Sequence, residues 1–202
     1  MFDITRFHQQ PLDTWLSTLP AGWDSYPDCR VKGALVREMM TGCDVGPDLL
    51  GRLPAPVAGL FRRPPNRSEW LPAVLVVGLI TSVAREARWD ARRLETMARA
   101  STERLSAKIG LLLALTTPGI LLVVARMRWN LVYRGVGLTW EEQSTKALLI
   151  HLTYPEHLLT EVYALGQGWA LEPALAATRI EDLKMEMVEW TPARATYRAT
   201  WR

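Results

Sequence analysis

From Ala73 to Val83 the chain reads Ala-Val-Leu-Val-Val-Gly-Leu-Ile-Thr-Ser-Val, apolar on nearly every face of a helix. A helix with no polar side has no place at a surface, so it belongs at the centre of the fold, with everything else built around it. The enclosing run, Leu71 to Ala84, is only 14 residues long, against about 20 for a membrane span. A second run, Ile109 to Ala125, is broken by Thr116-Thr117-Pro118-Gly119 and reads as core for the same reason.

Around that centre the helical period dominates the first two thirds. A helix is predicted over Val31 to Met40, stopped by Gly42, and a short one over Pro47 to Arg52. Leu53 to Arg67 holds four prolines and reads as a loop, with one helical turn at Val57 to Phe61. Ser68 is the expected N-cap of the central helix, with Pro72 in its first turn. Asp90 caps the next helix, in which Leu94, Met97, Ala98, Ser101, Leu105, Ile109 and Leu112 recur at spacings of three and four. Thr117-Pro118 is expected to start another, reaching about Met127.

After Arg128 the period shortens. Trp129, Leu131 and Tyr133 alternate with Asn130 and Arg134, which suggests a strand, or a helix end turning into one. Gly135-Val136-Gly137 reads as a turn, and Ala147 to Leu152 as a strand. Pro155 opens a helix with Leu158, Leu159, Val162, Leu165 and Trp169 inward, and Gly166 and Gly168 suggest close packing there. Ala195, Tyr197, Ala199 and Trp201 alternate with Thr196, Arg198, Thr200 and Arg202 in a terminal strand. Lys184 to Trp190 is its hairpin partner. The class is α+β: a helical N-terminal body on a small twisted antiparallel sheet formed mainly by the C-terminal half. Residues 1–28 read as an irregular arm carrying Trp15, Trp23 and Tyr26, and residues 29–202 as one domain.

Composition narrows the function classes. The 202 residues need no disulfide framework to bury a core. Two cysteines without a CxxC pair fit a reducing, cytoplasmic setting. Twenty-four basic residues against 21 acidic ones leave no net field for nucleic acid, and the richest stretch, Arg85 to Lys108, is interleaved with Glu86, Asp90, Glu95 and Glu103. No nucleophile elbow or phosphate loop is present. His157 and Glu161 are spaced as metal ligands on one helix face can be, but a third ligand at fixed spacing is missing, so an ordinary surface pair is the expectation.

The order of the second half carries a resemblance. Thr117-Pro118, Arg128-Trp129, the run Ala147 to Leu152, Gly166 with Gly168, and Tyr197 to Trp201 follow one another, after Lys32-Gly33 and Ser68-Glu69-Trp70-Leu71-Pro72 upstream. Together they resemble a family of proteins of this length common in myxobacteria. That family is similar to the heme-NO-binding-like and 4-vinyl-reductase-like domains, with a distant kinship to vesicle-tethering subunits. The resemblance implies helices on a twisted antiparallel sheet, and a cavity that in relatives holds a heme, a phenol or an acyl chain. The zinc-binding cysteines of the phenol sensors have no counterpart after Cys43, and the Tyr-x-Ser-x-Arg motif of the heme relatives does not occur. The expectation is therefore a protein without cofactor, heme or zinc.

Nine tryptophans are many for this length, and five of them lie in the second half with Met185 and Met187. They form an aromatic core or line an apolar ligand. The candidate ligand-binding residues are Trp129, Asn130, Tyr133 and Trp169. The expected function is a non-enzymatic, sensory or small hydrophobic ligand-binding domain, self-associating and without a membrane span. The alternatives are an interaction or scaffold protein whose cavity is filled by its own side chains, and a cofactor-independent enzyme on a hydrophobic substrate.

Overall fold

The computed structural model describes residues 11–109, 126–127, 129–176 and 182–202. The helix expected after Thr117-Pro118 lies outside them, as do residues 1–10.

The N-terminal segment is more regular than its prolines suggest. It forms α1 (Leu12–Ser17) and a 3-10 turn (Gly22–Asp24). Trp15 and Trp23 meet edge to face, with ring centroids 6.5 Å apart. Trp23 lies so close to Gly78 that a Cβ there would stand 2.5 Å from its ring. The indole N–H of Trp15 donates to the His157 carbonyl at 2.8 Å.

Two short strands then lead into helices. β1 (Arg30–Lys32) runs into α2 (Gly33–Cys43), and β2 (Trp70–Pro72) into α5 (Ala73–Glu86). Between them stand α3 (Pro47–Arg52) and α4 (Ala55–Arg62). α4 is longer than the single expected turn, because Pro54 and Pro56 fall at its cap and first turn, where no N–H is needed. Gly42 lies inside α2, which ends at Asp44 in the left-handed region at φ 49°. Ser68 is not the cap of α5: Trp70 and Leu71 pair with Lys32 and Val31, so the helix waits until Ala73. α5 buries eleven of its residues, from Ala73 through Ala84, as an all-round apolar helix must.

α6 (Ala91–Ile109) begins at the expected cap, where Asp90 Oδ1 accepts the Arg93 N–H at 2.7 Å. β3 (Tyr133–Arg134) completes a three-stranded antiparallel sheet in the order β2-β1-β3. The second sheet holds β4 (Gly137–Ser144), β5 (Ala147–Thr153), β6 (Lys184–Thr191) and β7 (Arg194–Thr200), in the order β4-β5-β7-β6. Its buried face carries Leu148, Ile150, Leu152, Ala195, Tyr197 and Ala199. α7 (Glu161–Ala176) packs on this sheet and against α6. The Tyr197 hydroxyl donates to the Ala164 carbonyl of α7 at 2.6 Å. Trp201, expected inside the terminal strand, follows the last residue of β7 and is half-buried.

α7 does not begin at Pro155. The His157 N–H donates to the Pro192 carbonyl of the β6–β7 turn at 2.7 Å, with His157 at φ 62°. That long-range bond holds the chain in a turn until Thr160, whose hydroxyl accepts the Tyr163 N–H at 3.3 Å. His157 and Glu161 therefore do not share a helix face. The α+β class stands, with two sheets where one was expected.

Candidate functional site

Residues 129–132 form a helical turn that passes directly into β3, the second of the two forms the sequence allowed. The helical spacing puts Trp129 and Tyr133 on one face. Their rings stack with centroids 4.1 Å apart and planes 22° from parallel. Leu131 does not share that face; it is 60% exposed.

Both aromatic rings are pinned. The Trp129 indole donates to the Val136 carbonyl at 2.7 Å. The Tyr133 hydroxyl donates to Gln167 Oε1 at 3.0 Å and lies 3.4 Å from the Tyr163 hydroxyl. Tyr163 and Gln167 are four apart on α7, so they present one face to Tyr133. Val31 of β1, Val77 of α5 and Leu152 of β5 close the space around these four. The result is an apolar cavity where both sheets meet the central helix. The centre of a water-sized sphere has about 10 Å³ to move in there, room for roughly one water molecule.

Burial dominates the electrostatics. Desolvation pushes Tyr133 up to about 12 against opposing hydrogen bonds from Tyr163 and Gln167. Tyr163 is pushed up too, by desolvation first and then by Tyr133. Both phenols stay protonated at neutral pH, and among the described residues no charged side chain lines the cavity. A charge placed there would lose its hydration without gaining a charged partner among the described residues.

Of the four candidate residues, the structure brings Trp129 and Tyr133 together in the wall. Asn130 is exposed, and Trp169 is half-buried outside the cavity lining. Gln167 and Trp169 are two apart on α7, which points them to roughly opposite sides of the helix. The sequence reading missed Tyr163 and Gln167. Their four-residue spacing was the available signal, but Gln167 is a polar residue beside the apolar stripe of Val162, Leu165 and Trp169.

The described lining does not fit a heme. The cavity as packed is far smaller than a macrocycle, and among the described residues it offers no histidine or cysteine for iron and no cation for a propionate. Of the described histidines, His151 faces Thr196 on the four-stranded sheet, and His157 sits in the turn before α7 with Glu156 at 3.6 Å. Among the described residues no group of three or more His, Cys, Asp or Glu could hold a metal ion. Cys29 and Cys43 are buried free thiols; burial pushes Cys29 up, and Cys43 up to about 12. Among those same residues no helix is long and apolar enough to cross a membrane.

No protein-family model and no curated protein sequence matches the chain. Solved structures do. A double variant of the Tt H-NOX protein superposes with a TM-score of 0.58 at 14% identity, over 85% of this chain and 95% of its own. An oxygen-binding H-NOX domain related to soluble guanylate cyclases superposes at 0.55 and 14%, over 84% and 92%. A variant of the H-NOX protein from K. algicida, in its unliganded Fe(II) form, gives 0.51 and 8%, over 85% and 96%. At such identities the likeness speaks for architecture alone, and the helical layer, the small sheet and the four-stranded sheet together give this chain the heme-NO-binding (H-NOX) fold.

Proposed function

We propose that this chain is a ligand-binding or sensory domain that takes one small, neutral, mainly hydrophobic molecule without a heme. The ligand's hydrogen-bonding end would face the hydroxyls of Tyr133 and Tyr163 and the Gln167 amide. The observation that carries this reading is the apolar cavity itself, with the paired polar groups of Tyr133, Tyr163 and Gln167 next to it, since a mostly apolar pocket near a few polar groups is the usual form of a small-molecule site. The structural likeness to a domain described as oxygen binding supports the ligand-binding class. A non-enzymatic role fits a lining that, among the described residues, holds no acid–base pair. The reading keeps the kinship to 4-vinyl-reductase-like domains, a cytoplasmic setting and self-association as its further parts.

The second reading, a scaffold whose cavity is filled by its own side chains, has an observation of its own. Trp129 stacks on Tyr133 and leaves room for about one water. A ligand larger than that must displace the indole.

Tryptophan emission tests both readings. Short-chain carbonyl compounds, phenols, fatty acids and tetrapyrroles are titrated into the protein and into its Trp129→Phe, Tyr163→Phe, Asn130→Ala and Trp169→Ala variants. The ligand reading expects a saturable change with one neutral class, lost in Trp129→Phe and weakened in Tyr163→Phe. The other two variants locate the edge of the site. No saturable response to any class leaves the scaffold reading standing.

A further inference from the structure

The small sheet has a second face. β1 and β3 turn Val31 and Tyr133 inward to the cavity. Alternation turns their neighbours Arg30, Lys32 and Arg134 outward. Arg30 and Arg134 are directly opposite each other in the register of the two strands. Opposite residues on one face have Cβ atoms about 5 Å apart, and like charges so placed repel. Lys32 stands opposite Trp70 of β2. The Lys32 ammonium lies 4.6 Å and the Arg134 guanidinium 4.0 Å from the Trp70 ring centroid.

Nothing acidic among the described residues answers this charge. Arg30 donates to the Pro27 carbonyl at 3.0 Å and Lys32 to the Ser68 carbonyl at 2.8 Å, both backbone groups. Glu69, adjacent to Trp70, accepts the Asn66 N–H at 3.0 Å instead. Other arginines without a carboxylate, such as Arg37 and Arg93, bond to backbone carbonyls, but Arg30 and Arg134 are paired across one strand register. The small sheet is thus a place where like charges are gathered and opposed, with no carboxylate partner among the described residues.

We propose that this outer face docks an acidic segment of a partner protein. A carboxylate of that segment sits between Arg30 and Arg134, where it turns their repulsion into two charge-assisted hydrogen bonds. An apolar neighbour packs on Trp70 and Pro72. Two features favour a protein segment over a free anion or a nucleic acid. The cations are spread along paired strands rather than converging on one point, and Trp beside Arg is the composition of interface hot spots. The chain as a whole also lacks the basic excess of a nucleic-acid binder. This inference stands whether or not the cavity on the inner face takes a ligand.

The test uses the full chain and a fluorescein-labelled peptide of alternating Glu and Leu, followed by anisotropy, with a Gln and Leu peptide as control. Inorganic phosphate, a single-stranded RNA oligonucleotide and anionic phospholipid vesicles are competitors. The Glu peptide is expected to bind saturably, more weakly as salt rises. Arg30→Gln and Arg134→Gln should each weaken it about tenfold, the loss of one good charge-assisted contact. Arg30→Gln should melt close to the wild-type temperature, since the relieved repulsion offsets the lost bonds to the Pro27 and Trp70 carbonyls, and this separates lost docking from lost folding. Carbodiimide cross-linking of the peptide to Lys32 in the unaltered protein gives an answer that needs no variant. The proposal falls if the Glu peptide does not saturate, if the Gln peptide binds equally well, if neither variant changes the affinity, or if RNA or vesicles displace the peptide through the same arginines.

Discussion

Gly166 and Gly168 lie two residues apart on α7, and replacing each with alanine should move stability in opposite directions. At Gly168 an added Cβ would stand 2.8 Å from both Cδ1 and Cε1 of Tyr197, well inside the roughly 3.5–4.0 Å of ordinary carbon contact. The ring has nowhere to retreat. Tyr197 is fully buried, and its hydroxyl is tied to the Ala164 carbonyl one turn earlier on the same helix. Overpacking of this kind costs about 1–3 kcal/mol, and a contact with two ring atoms belongs in the upper part of that range. Alanine returns about 1 kcal/mol of helix propensity. The net loss is about 1–2 kcal/mol, or roughly 2–8 °C in Tm for a chain of this size. At Gly166 the nearest atom is Leu94 Cδ1 at 3.8 Å, an ordinary contact. Gly166→Ala therefore keeps most of its propensity gain and raises stability by up to about 1 kcal/mol. Urea denaturation of both variants measures the difference. Removing the hydroxyl tie lets the ring tilt, so Gly168→Ala should cost less in a Tyr197→Phe background. A Gly168→Ala protein as stable as the wild type, or more stable than Gly166→Ala, would refute the reasoning.

Three further outcomes follow from the same geometry. Burial raises Tyr133 to about 12 and also pushes up Tyr154, Tyr163 and Tyr197; folded values above the unfolded one of about 10 mean that stability is whole below pH ~10 and falls above it, by up to about 1.4 kcal/mol per pH unit for each tyrosine. Urea melts across that range, with phenolate absorbance as a second probe, should show ionisation only on unfolding, and early ionisation of all five tyrosines would contradict the buried network. Asp90→Ala removes the side-chain cap of α6 and should cost about 1 kcal/mol by chemical denaturation, with Asp90→Asn recovering most of it. Trp129→Ala should cost about 3–5 kcal/mol and enlarge the cavity; added indole should then raise the melting temperature of the variant but not of the wild type, and equal shifts would count against the indole of Trp129 as a cavity wall.

What the sequence could and could not say follows from the range of the forces involved. The all-apolar stretch of α5, the Asp90 cap and the terminal hairpin were legible because each is decided by residues within a few positions of one another. β4 was not, since it is an edge strand whose outer half carries Glu141, Glu142, Gln143 and Ser144, leaving Leu138 and Trp140 to mark its inner side. The start of α7 was missed for a different reason. Pro155 is a good local helix opener, but the bond from His157 to Pro192 comes from another part of the chain and overrides it. The strands β1 and β2 are three residues each, too short to show a period, and exist because they pair with one another.

The same argument explains why the site was half legible. Trp129 and Tyr133 were found together because their spacing is local; it was read as mainly strand-like, and as a helical turn it brings the rings into stacking contact. Their partners arrive from elsewhere: Val31 from β1, Val77 from α5, Leu152 from β5, and Tyr163 with Gln167 from α7. Nothing near Gln167 in the sequence says that a tyrosine hydroxyl from another element will meet its amide. Once the elements pack, though, that amide must be answered, because an unpartnered polar group in such an interior costs about 1–3 kcal/mol. Tyr133 answers it, and in doing so fixes the end of β3 against α7. The hydrogen bonds beside the cavity thus also hold its walls in place. A guest that competes for the Tyr133 hydroxyl would therefore loosen β3 from α7 as it binds. Arg134, the next residue of β3, stands on the opposite face of the small sheet.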